Sequence, residues 1–169
     1  MVVTSVLLRP TIASDLDFVL AAERASENEP FVGQWSRDRH LHACQHPDER
    51  HWIIVDAATQ EPVGYVILLG AQDPNQCLLV KRMVITRKGQ GFGKAALEQV
   101  LHQAFLELQA HRVWLDVMED NSRAYTLYRK LGFVEEGKMR ECMKKSRGFV
   151  SLHLMSVLRS EFMTRQGAT

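Results

Sequence analysis

Glycines alternate with other residues in the segment Lys88-Gly89-Gln90-Gly91-Phe92-Gly93-Lys94, which leads into a run of good helix formers. The first turn of a helix presents free backbone N–H groups and a partial positive charge. Glycines let that backbone approach an anion closely, because they carry no Cβ. The segment is therefore predicted to bind a phosphate or pyrophosphate through main-chain N–H groups, with added positive charge from Lys88 and Lys94. The alternative interpretation is an ordinary tight turn before a helix.

The spacing of this loop argues against two common classes of nucleotide site. A P-loop has four residues between its glycines, followed by Lys and a Ser or Thr that binds magnesium. Here three residues separate Gly89 from Gly93, and Ala95 follows Lys94. The dinucleotide fingerprint G-x-G-x-x-G does not fit either, since one residue separates Gly91 from Gly93.

Hydrophobic periodicity predicts the elements that must position this loop. Strands are expected at 5–10, 51–57, 62–70, 75–86, 111–118, 133–140 and 149–158, and helices at 16–25, 37–45, 92–108 and 121–132. Ser14 or Asp15 would cap the first helix, Ser36 the second, and Gly132 would end the last. The order implies an α/β (α+β) fold: one domain over 1–169, with a mixed, mostly antiparallel sheet flanked by helices. Residues 165–169 are expected to be irregular.

Composition limits the partners of the chain. Its 169 residues suit one domain, and its formal net charge of +1 argues against a nucleic-acid partner, which would need a basic face. Its apolar runs are too short to cross a membrane, and its beginning lacks the basic region of a signal peptide. Cys44, Cys77 and Cys142 are scattered and odd in number, which is typical of reduced thiols. A cytoplasmic protein is expected.

A histidine-rich segment raises the question of a metal. It contains His40, His42, Cys44, His46 and His51. Only i, i+4 pairs such as His42 and His46 share a helix face, and no Cys-x-x-Cys pair or carboxylate completes a tetrahedral set. No metal is expected, and the segment is predicted to form part of a cleft wall instead.

Two motifs together resemble those of the GCN5-related N-acetyltransferase family. That family has Q/R-x-x-G-x-G/A at the start of its long central helix, which corresponds to Lys88 through Gly93; Lys88 replaces the usual Gln or Arg, but its main-chain N–H can still donate. The second motif is Asn121 followed by Leu127-Tyr128 and Leu131-Gly132-Phe133. The resemblance covers 63–158, and it is closest in character to the ribosomal-protein alanine and spermidine acetyltransferase branches.

This resemblance implies that acetyl-CoA, without a metal, lies in a V-shaped opening between the central strand and the strand after the helix. The glycine loop would hold the pyrophosphate, and the main chain of the central strand would pair with the pantetheine arm. The implied cofactor-binding residues are Met83, Val84, Ile85, Lys88, Gly89, Gln90, Gly91, Phe92, Gly93, Lys94, Asn121, Ala124 and Tyr128.

The resemblance also implies catalytic roles for two residues in direct attack of an amine on the thioester. Tyr128 occupies the family's position for protonating the leaving thiolate, and the unperturbed pKa of a phenol is about 10. Asp116 stands where the ribosomal-protein branch has a glutamate base; because its side chain is one methylene shorter, it would act through a water. For Tyr128 the alternative is a core aromatic, and for Asp116 a bonded strand-end residue. A backbone N–H would stabilise the oxyanion.

The acceptor is left open by the sequence: a protein N-terminus, a polyamine or another small amine. Glu27, Glu29 and Trp35 are the candidate substrate residues, because polyamine-acetylating relatives bind cations in this region; solvated loop positions, or packing for Trp35, are the alternatives. A G-x-Y-x-D pattern before the last strand is replaced here by Arg147, Phe149 and Ser151, which argues against a polyamine site.

Two further expectations complete the sequence interpretation. The final strands could support a homodimer. A non-catalytic acyl-CoA-binding sensor or scaffold is the alternative to an enzyme, but the presence of Tyr128 favours catalysis.

Overall fold

The computed structural model describes residues 4–167 and is built around one seven-stranded sheet. The strands are β1 (Val6–Pro10), β2 (Glu49–Asp56), β3 (Pro62–Leu69), β4 (Cys77–Ile85), β5 (Arg112–Met118), β6 (Val134–Lys145) and β7 (Gly148–Leu158). Their order across the sheet is β1-β2-β3-β4-β5-β7-β6. The β4–β5 pair is parallel and the other five pairs are antiparallel. The predicted mixed, mostly antiparallel sheet is confirmed.

Helices cover both faces of this sheet. They are α1 (Leu16–Arg24, after a 3₁₀ turn at Ala13–Asp15), α2 (Arg37–Gln45), α3 (Phe92–His102), α4 (Ser122–Lys130) and α5 (Arg159–Gly167). The larger apolar core joins one sheet face to α3, with side chains of α4 and α5 packed against it. The smaller core joins the opposite face to α1 and to Trp35. The two faces thus have separate cores, as period-two strand alternation requires.

The structure extends the sequence prediction in three places. α5 was not predicted, because its apolar side is short; within it Phe162 is buried and stacks on Phe105. The predicted long helix ends at His102 and continues as a π-helical turn, Gln103–Glu107. β6 runs to Lys145, five residues beyond the predicted 140, and pairs with β7 almost to the turn.

The two ends of the chain differ from the sequence expectations or lie outside the described residues. The tail expected to be irregular is helical through Gly167, and its last two residues lie outside the described range, as do the first three residues of the chain. That one domain spans 1–169 stays a prediction. Within residues 4–167, no helix has the length and apolar character to cross a bilayer.

A β-bulge in β4 changes which side chains face each core. β4 pairs regularly with β3 except between Ile67 and Leu68, where Lys81 is the extra residue. Before the bulge, Val80 packs into the α3 core; after it, Arg82 lies opposite Ile67, which belongs to the α1 core. Since bulges re-aim side chains and bend strands, this irregularity is what turns Arg82 toward α1.

Candidate functional site

The parallel strands β4 and β5 separate along their length. They pair only at their beginnings, where Cys77–Leu79 lie beside Arg112–Trp114. Beyond Leu79, β4 remains paired with β3 on its other edge as far as Ile85, while β5 turns to pair with β7. The edge of β4 that faces β5 is therefore free of a strand partner over 80–85 within the described chain. This is the V-shaped opening that the resemblance implied.

A cleft of about 910 Å³ occupies this opening. Its walls are the end of β4, the glycine loop, one side of α4, and the loop between α1 and α2. Eleven of the thirteen residues expected to bind the cofactor line it: Met83, Val84, Ile85, Lys88, Gly89, Gly91, Gly93, Lys94, Asn121, Ala124 and Tyr128. The fold thus gathers into one cleft most of a set that the sequence spreads over two distant segments.

The glycine loop has the backbone geometry of an anion site. Gly89 and Gly91 have φ of 81° and 85°, in the left-handed region that only glycine adopts readily, and α3 begins at Phe92. Among the described residues, the backbone N–H groups from Lys88 to Lys94 have no hydrogen-bond acceptor on the main chain. One hydrogen bond anchors the loop to the start of the chain, because the Thr4 hydroxyl donates to the carbonyl of Gln90 at 2.7 Å. These free donors converge on the helix N-terminus.

Lys88 connects the glycine loop to the opposite wall. Its Nζ donates to the Glu27 carbonyl at 3.2 Å and lies 4.0 Å from the Glu27 carboxylate. Partial burial lowers the pKa of Lys88, although Glu27 acts in the other direction. Lys94 is more exposed and pairs with Glu98 on the surface of α3 at 3.7 Å. The two lysines therefore differ: Lys88 closes a corner of the cleft, and Lys94 adds charge at its rim.

Asn121 serves first as a helix cap. Its side-chain oxygen accepts a hydrogen bond from the Ala124 N–H at 3.2 Å, which satisfies one free donor at the start of α4. That bond fixes the amide and leaves its NH₂ group available at the cleft wall. The same cap sets the direction of α4, which carries Tyr128 into the cleft.

Tyr128 lines the opening, whereas Asp116 does not, but the charge of Asp116 influences Tyr128 electrostatically. Tyr128 packs against the α3 core beside Phe133. Asp116 alternates with Leu115 and Val117, which face that core, so its side chain lies on the other face. Burial, and next the negative charge of Asp116, raise the pKa of Tyr128 to about 12. Partial desolvation raises the pKa of Asp116, opposed by Lys81 at the bulge, although the residue itself is exposed.

Five predicted site residues are not brought to the cleft wall, and the first is Asp116, which is exposed on β5. Phe92 is buried in the α3 core, and the side chain of Gln90 points to solvent. Glu29 is exposed outside the cleft. Trp35 packs between the guanidinium groups of Arg39 and Arg82, 4.0 and 4.7 Å from its ring centre. Of the three candidate substrate residues, only Glu27 lines the cleft.

Sequence reasoning missed a buried polar cluster behind the cleft. Glu23 on α1 is fully buried; one carboxylate oxygen accepts hydrogen bonds from Arg82 and from the Tyr65 hydroxyl, the latter at 2.7 Å. The other oxygen accepts from the Trp35 N–H at 3.3 Å. Burial by itself would raise the pKa of Glu23, but the contacts with His40, Tyr65 and Arg82 together lower it. The sequence signal that could have indicated this cluster is Glu23 itself, a charged residue within a largely apolar helix.

The histidines of the second helix region separate into two groups. His40 and His51 are buried in line with Glu23: His40 Nε2 lies 3.0 Å from the carboxylate in a bent contact, and His40 Nδ1 lies 3.0 Å from His51 Nε2. His51 Nδ1 continues to the Thr11 hydroxyl at 2.8 Å. His42 and His46 stack on the surface of α2. The segment expected to form a cleft wall therefore lies behind the cleft.

We expect acidification to destabilise the fold through His51. Burial, and next its neighbour His40, lower the pKa of His51 to about 3. In the unfolded chain a histidine has a pKa of about 6.5. Because the folded value is the lower one, the stability contribution is present above pH 6.5 and is lost as the pH falls toward 3. Between pH 7 and pH 5 the loss from this residue is about 2 kcal/mol.

Urea unfolding at both pH values measures this effect in the wild type and in His51→Gln. The variant is expected to show a pH-dependent loss smaller by about the same ~2 kcal/mol. His46→Gln is the matched control, since His46 is an exposed histidine five positions before His51 and its loss should leave the wild-type difference intact. An equal pH dependence in His51→Gln and wild type would show that His51 is not held neutral by the fold.

Comparison with known sequences assigns this cleft to a family. Residues 20–133 match the sequence profile of the acetyltransferase (GNAT) family, and they include β4, the glycine loop and α4. The chain belongs to the acetyltransferase (GNAT) family. It is an N-acetyltransferase, and the alternative of a non-catalytic sensor or scaffold is not supported. The resemblance drawn from the two motifs is confirmed.

Similar proteins within the family include acetyltransferases of bacteria. The chain is 26% identical over 129 residues to a spermidine N(1)-acetyltransferase of Vibrio cholerae serotype O1, covering 76% of this chain and 72% of that protein. It is 31% identical over 80 residues to an SPbeta prophage-derived uncharacterized N-acetyltransferase of Bacillus subtilis strain 168, covering 47% and 45%.

Solved structures of this family share the fold. A chimera of the Vibrio cholerae spermidine N-acetyltransferase superposes with a TM-score of 0.86 at 24% identity, over 96% of this chain and 100% of that one. The Vibrio cholerae enzyme in complex with CoA and spermine superposes with a TM-score of 0.82 at 23% identity, over 94% and 98%. The shared fold therefore covers nearly the whole chain.

Proposed function

We propose that this N-acetyltransferase moves acetyl from acetyl-CoA to a primary amine, and that its favoured acceptor is a linear polyamine. The observation that carries the donor assignment is the free edge of β4, which lines one cleft together with the glycine loop and Tyr128. A ligand with a pyrophosphate, a long amide-bearing arm and a reactive thioester matches these three groups. The relative solved with CoA supports the same donor.

Different parts of acetyl-CoA would be bound by different groups of this chain. The free N–H groups from Lys88 to Lys94 would hold the pyrophosphate, and no metal is needed because the helix terminus and Lys88 supply positive charge. The unpaired edge at Met83–Ile85 would pair with the amides of the pantetheine arm, as a neighbouring strand would. The NH₂ group of Asn121 would contact the arm from the α4 side.

Catalysis then requires one group that accepts the proton of the attacking amine and another that donates to the departing sulfur. The thioester supplies an activated acyl group that an amine attacks directly. Asp116 would accept the proton of the amine through a water, and its raised pKa makes it a stronger base than an ordinary aspartate. Tyr128 would donate a hydrogen bond to the departing sulfur. Because its pKa is about 12, it remains protonated and ready to donate at neutral pH.

Relatives and the cleft itself support a cationic acceptor. The curated relative of Vibrio cholerae is named for spermidine, and a solved relative holds spermine beside CoA. Two exposed acidic residues, Glu27 and Asp120, line the cleft. The missing G-x-Y-x-D pattern at Arg147–Ser151 means that this chain would recognise the polyamine with a different set of side chains.

An amine panel assayed for CoA release tests this proposal. Spermidine, spermine, a peptide with a free N-terminal alanine, and butylamine would be compared at equal concentration, with calorimetry of acetyl-CoA binding alongside. We expect the polyamines to have the highest kcat/KM. Tight acetyl-CoA binding with no turnover of any amine would contradict the transferase assignment for these acceptors. Turnover of the peptide alone would mean that the acceptor is a protein N-terminus and not a polyamine.

Substitution of Asp116 by Asn tests the base. We expect kcat/KM to fall by about tenfold at neutral pH, less than the ~10²–10⁴ typical of direct general bases, because the aspartate acts through water. The wild-type rate should fall on acidification at a higher pH than an ordinary aspartate would give, since the pKa of Asp116 is raised. A pH–rate profile of both proteins measures this. An unchanged acidic limb in Asp116→Asn would exclude Asp116 as its source.

A further inference from the structure

The tip of the β6–β7 hairpin places a cation across the mouth of the cleft. Arg147 forms an ion pair with Asp120 at 2.5 Å, and its guanidinium lies 6.0 Å from the ring centre of Phe31. Asp120 follows β5 and Phe31 belongs to the α1–α2 loop, and both line the cleft from opposite walls. A third contact joins Arg147 to the Met118 sulfur at 3.8 Å. One guanidinium thus bridges the two walls.

The hairpin is built to bring Arg147 there. β6 carries extra residues against β7 between Met139 and Met143, and Glu141 within this bulge has φ of 47°. Bulges bend the strand that contains them. The bend is fixed by the Glu141 N–H, which donates to the Ser151 hydroxyl at 3.0 Å, and by a small apolar cluster in which Met118 meets the hairpin. The tip therefore leans over the end of β5.

The groups that hold Arg147 are those that recognise an alkylammonium. A carboxylate and an aromatic face, both partly exposed, bind an amine by an ion pair and a cation–π contact. The side chains of Arg147 and Asp120 are each 42% exposed, so solvent competes and the pair can exchange. Phe31 is among the exposed large apolar residues, which leaves its ring open to a ligand.

We propose that Asp120 and Phe31 form a subsite for the second ammonium of a polyamine acceptor, and that Arg147 occupies this subsite when no acceptor is bound. The proposal rests on the amine acetyltransferase function and adds the source of acceptor selectivity. A polyamine displaces Arg147 with its distal charge while its primary amine reaches the thioester. A monoamine has no second charge, so it gains nothing from the displacement. Asp120 and Phe31 then provide the selectivity for a polyamine, and Arg147 weakens polyamine binding by competing for the same subsite.

Selectivity between spermidine and butylamine tests the subsite. In Arg147→Ala the ratio of KM for spermidine to KM for butylamine should fall about fivefold, as expected for losing one exposed ion pair and one exposed cation–π competitor. In Asp120→Asn that ratio should rise by a similar factor. In the double variant, removal of Arg147 should bring no gain, because the competition requires Asp120. Lys138→Ala is the matched control, since Lys138 pairs with the neighbouring Glu119 at 2.6 Å outside the cleft.

Equilibrium binding separates this inference from the proposed function. Spermidine binding to the CoA-loaded protein would be measured by calorimetry in the wild type and the same four variants. Binding that follows the predicted pattern without turnover would support the subsite and contradict the polyamine acetylation. Turnover of spermidine with a selectivity ratio unaffected by Arg147→Ala and Asp120→Asn would overturn the subsite and leave the function standing. A gain from Arg147→Ala that persists in the Asp120→Asn background would also overturn it.

Discussion

Replacing Tyr128 with Phe is expected to lower kcat about 10²-fold, at the lower end of what a positioned acid contributes. The ring would stay where it packs against Phe133 and the α3 core, so the cleft should keep its shape. Only the hydroxyl is lost, and with it the proposed proton donor to the departing sulfur. Since the pKa of Tyr128 is about 12, the wild-type rate should show no loss from its ionisation below pH 10.

Steady-state kinetics and acetyl-CoA calorimetry together decide this prediction. The dissociation constant for acetyl-CoA should change little, because the glycine loop and β4 supply most of the proposed contacts. Tyr125→Phe is the matched control on the same helix: its hydroxyl donates to Glu135 at 2.7 Å, outside the cleft. That variant should turn over at close to the wild-type rate. An unchanged kcat in Tyr128→Phe would remove Tyr128 as the proton donor.

Replacing Glu23 with Ala should produce the largest loss of stability. Arg82 is buried beside it, and removing one partner of a buried ion pair leaves an uncompensated charge. Such losses are typically about 3–5 kcal/mol in the free energy of unfolding. The Tyr65 hydroxyl and the Trp35 N–H would lose their acceptors as well. Denaturant unfolding at pH 7 measures the change.

A surface pair on the same helix provides the control. Asp17 on α1 pairs with Arg37 at 2.6 Å, and its side chain is 86% exposed. Asp17→Ala should cost at most about 1 kcal/mol, as exposed ion pairs do. A loss in Glu23→Ala no greater than in Asp17→Ala would mean that solvent reaches Arg82 and that the cluster is not closed.

The Glu23 cluster also reaches the cleft through the chain. Glu23 holds the loop after α1 at two points: its carboxylate accepts from the Trp35 N–H, and its carbonyl accepts from the Gln34 side chain at 2.9 Å. That loop carries Glu27 and Phe31 to the cleft wall. We therefore expect Glu23→Ala to raise KM for the acceptor more than KM for acetyl-CoA.

Local sequence determined much of this molecule. The glycine loop was predictable because positive φ and free N–H groups at a helix start depend on neighbouring residues alone. The strands and the central helix followed from apolar periodicity, which each segment carries by itself. Tyr128 and Asn121 came from a motif within one helix, whose cap and C-terminal glycine are local as well. The donor half of the site could thus be predicted from the sequence.

The acceptor half depended on the tertiary structure. The sequence left Trp35 equally suited to lining a cleft or packing in the interior. The bulge at Lys81 decides for the interior, because it turns Arg82 toward α1. There Arg82 contacts Glu23, which lies fifty-nine positions away in the chain. Arg147 reaches Asp120 only because a second bulge bends its hairpin. Both contacts depend on strand register between distant segments. No local pattern encodes where an extra residue is accommodated, since a one-residue shift reverses the face to which every later side chain points.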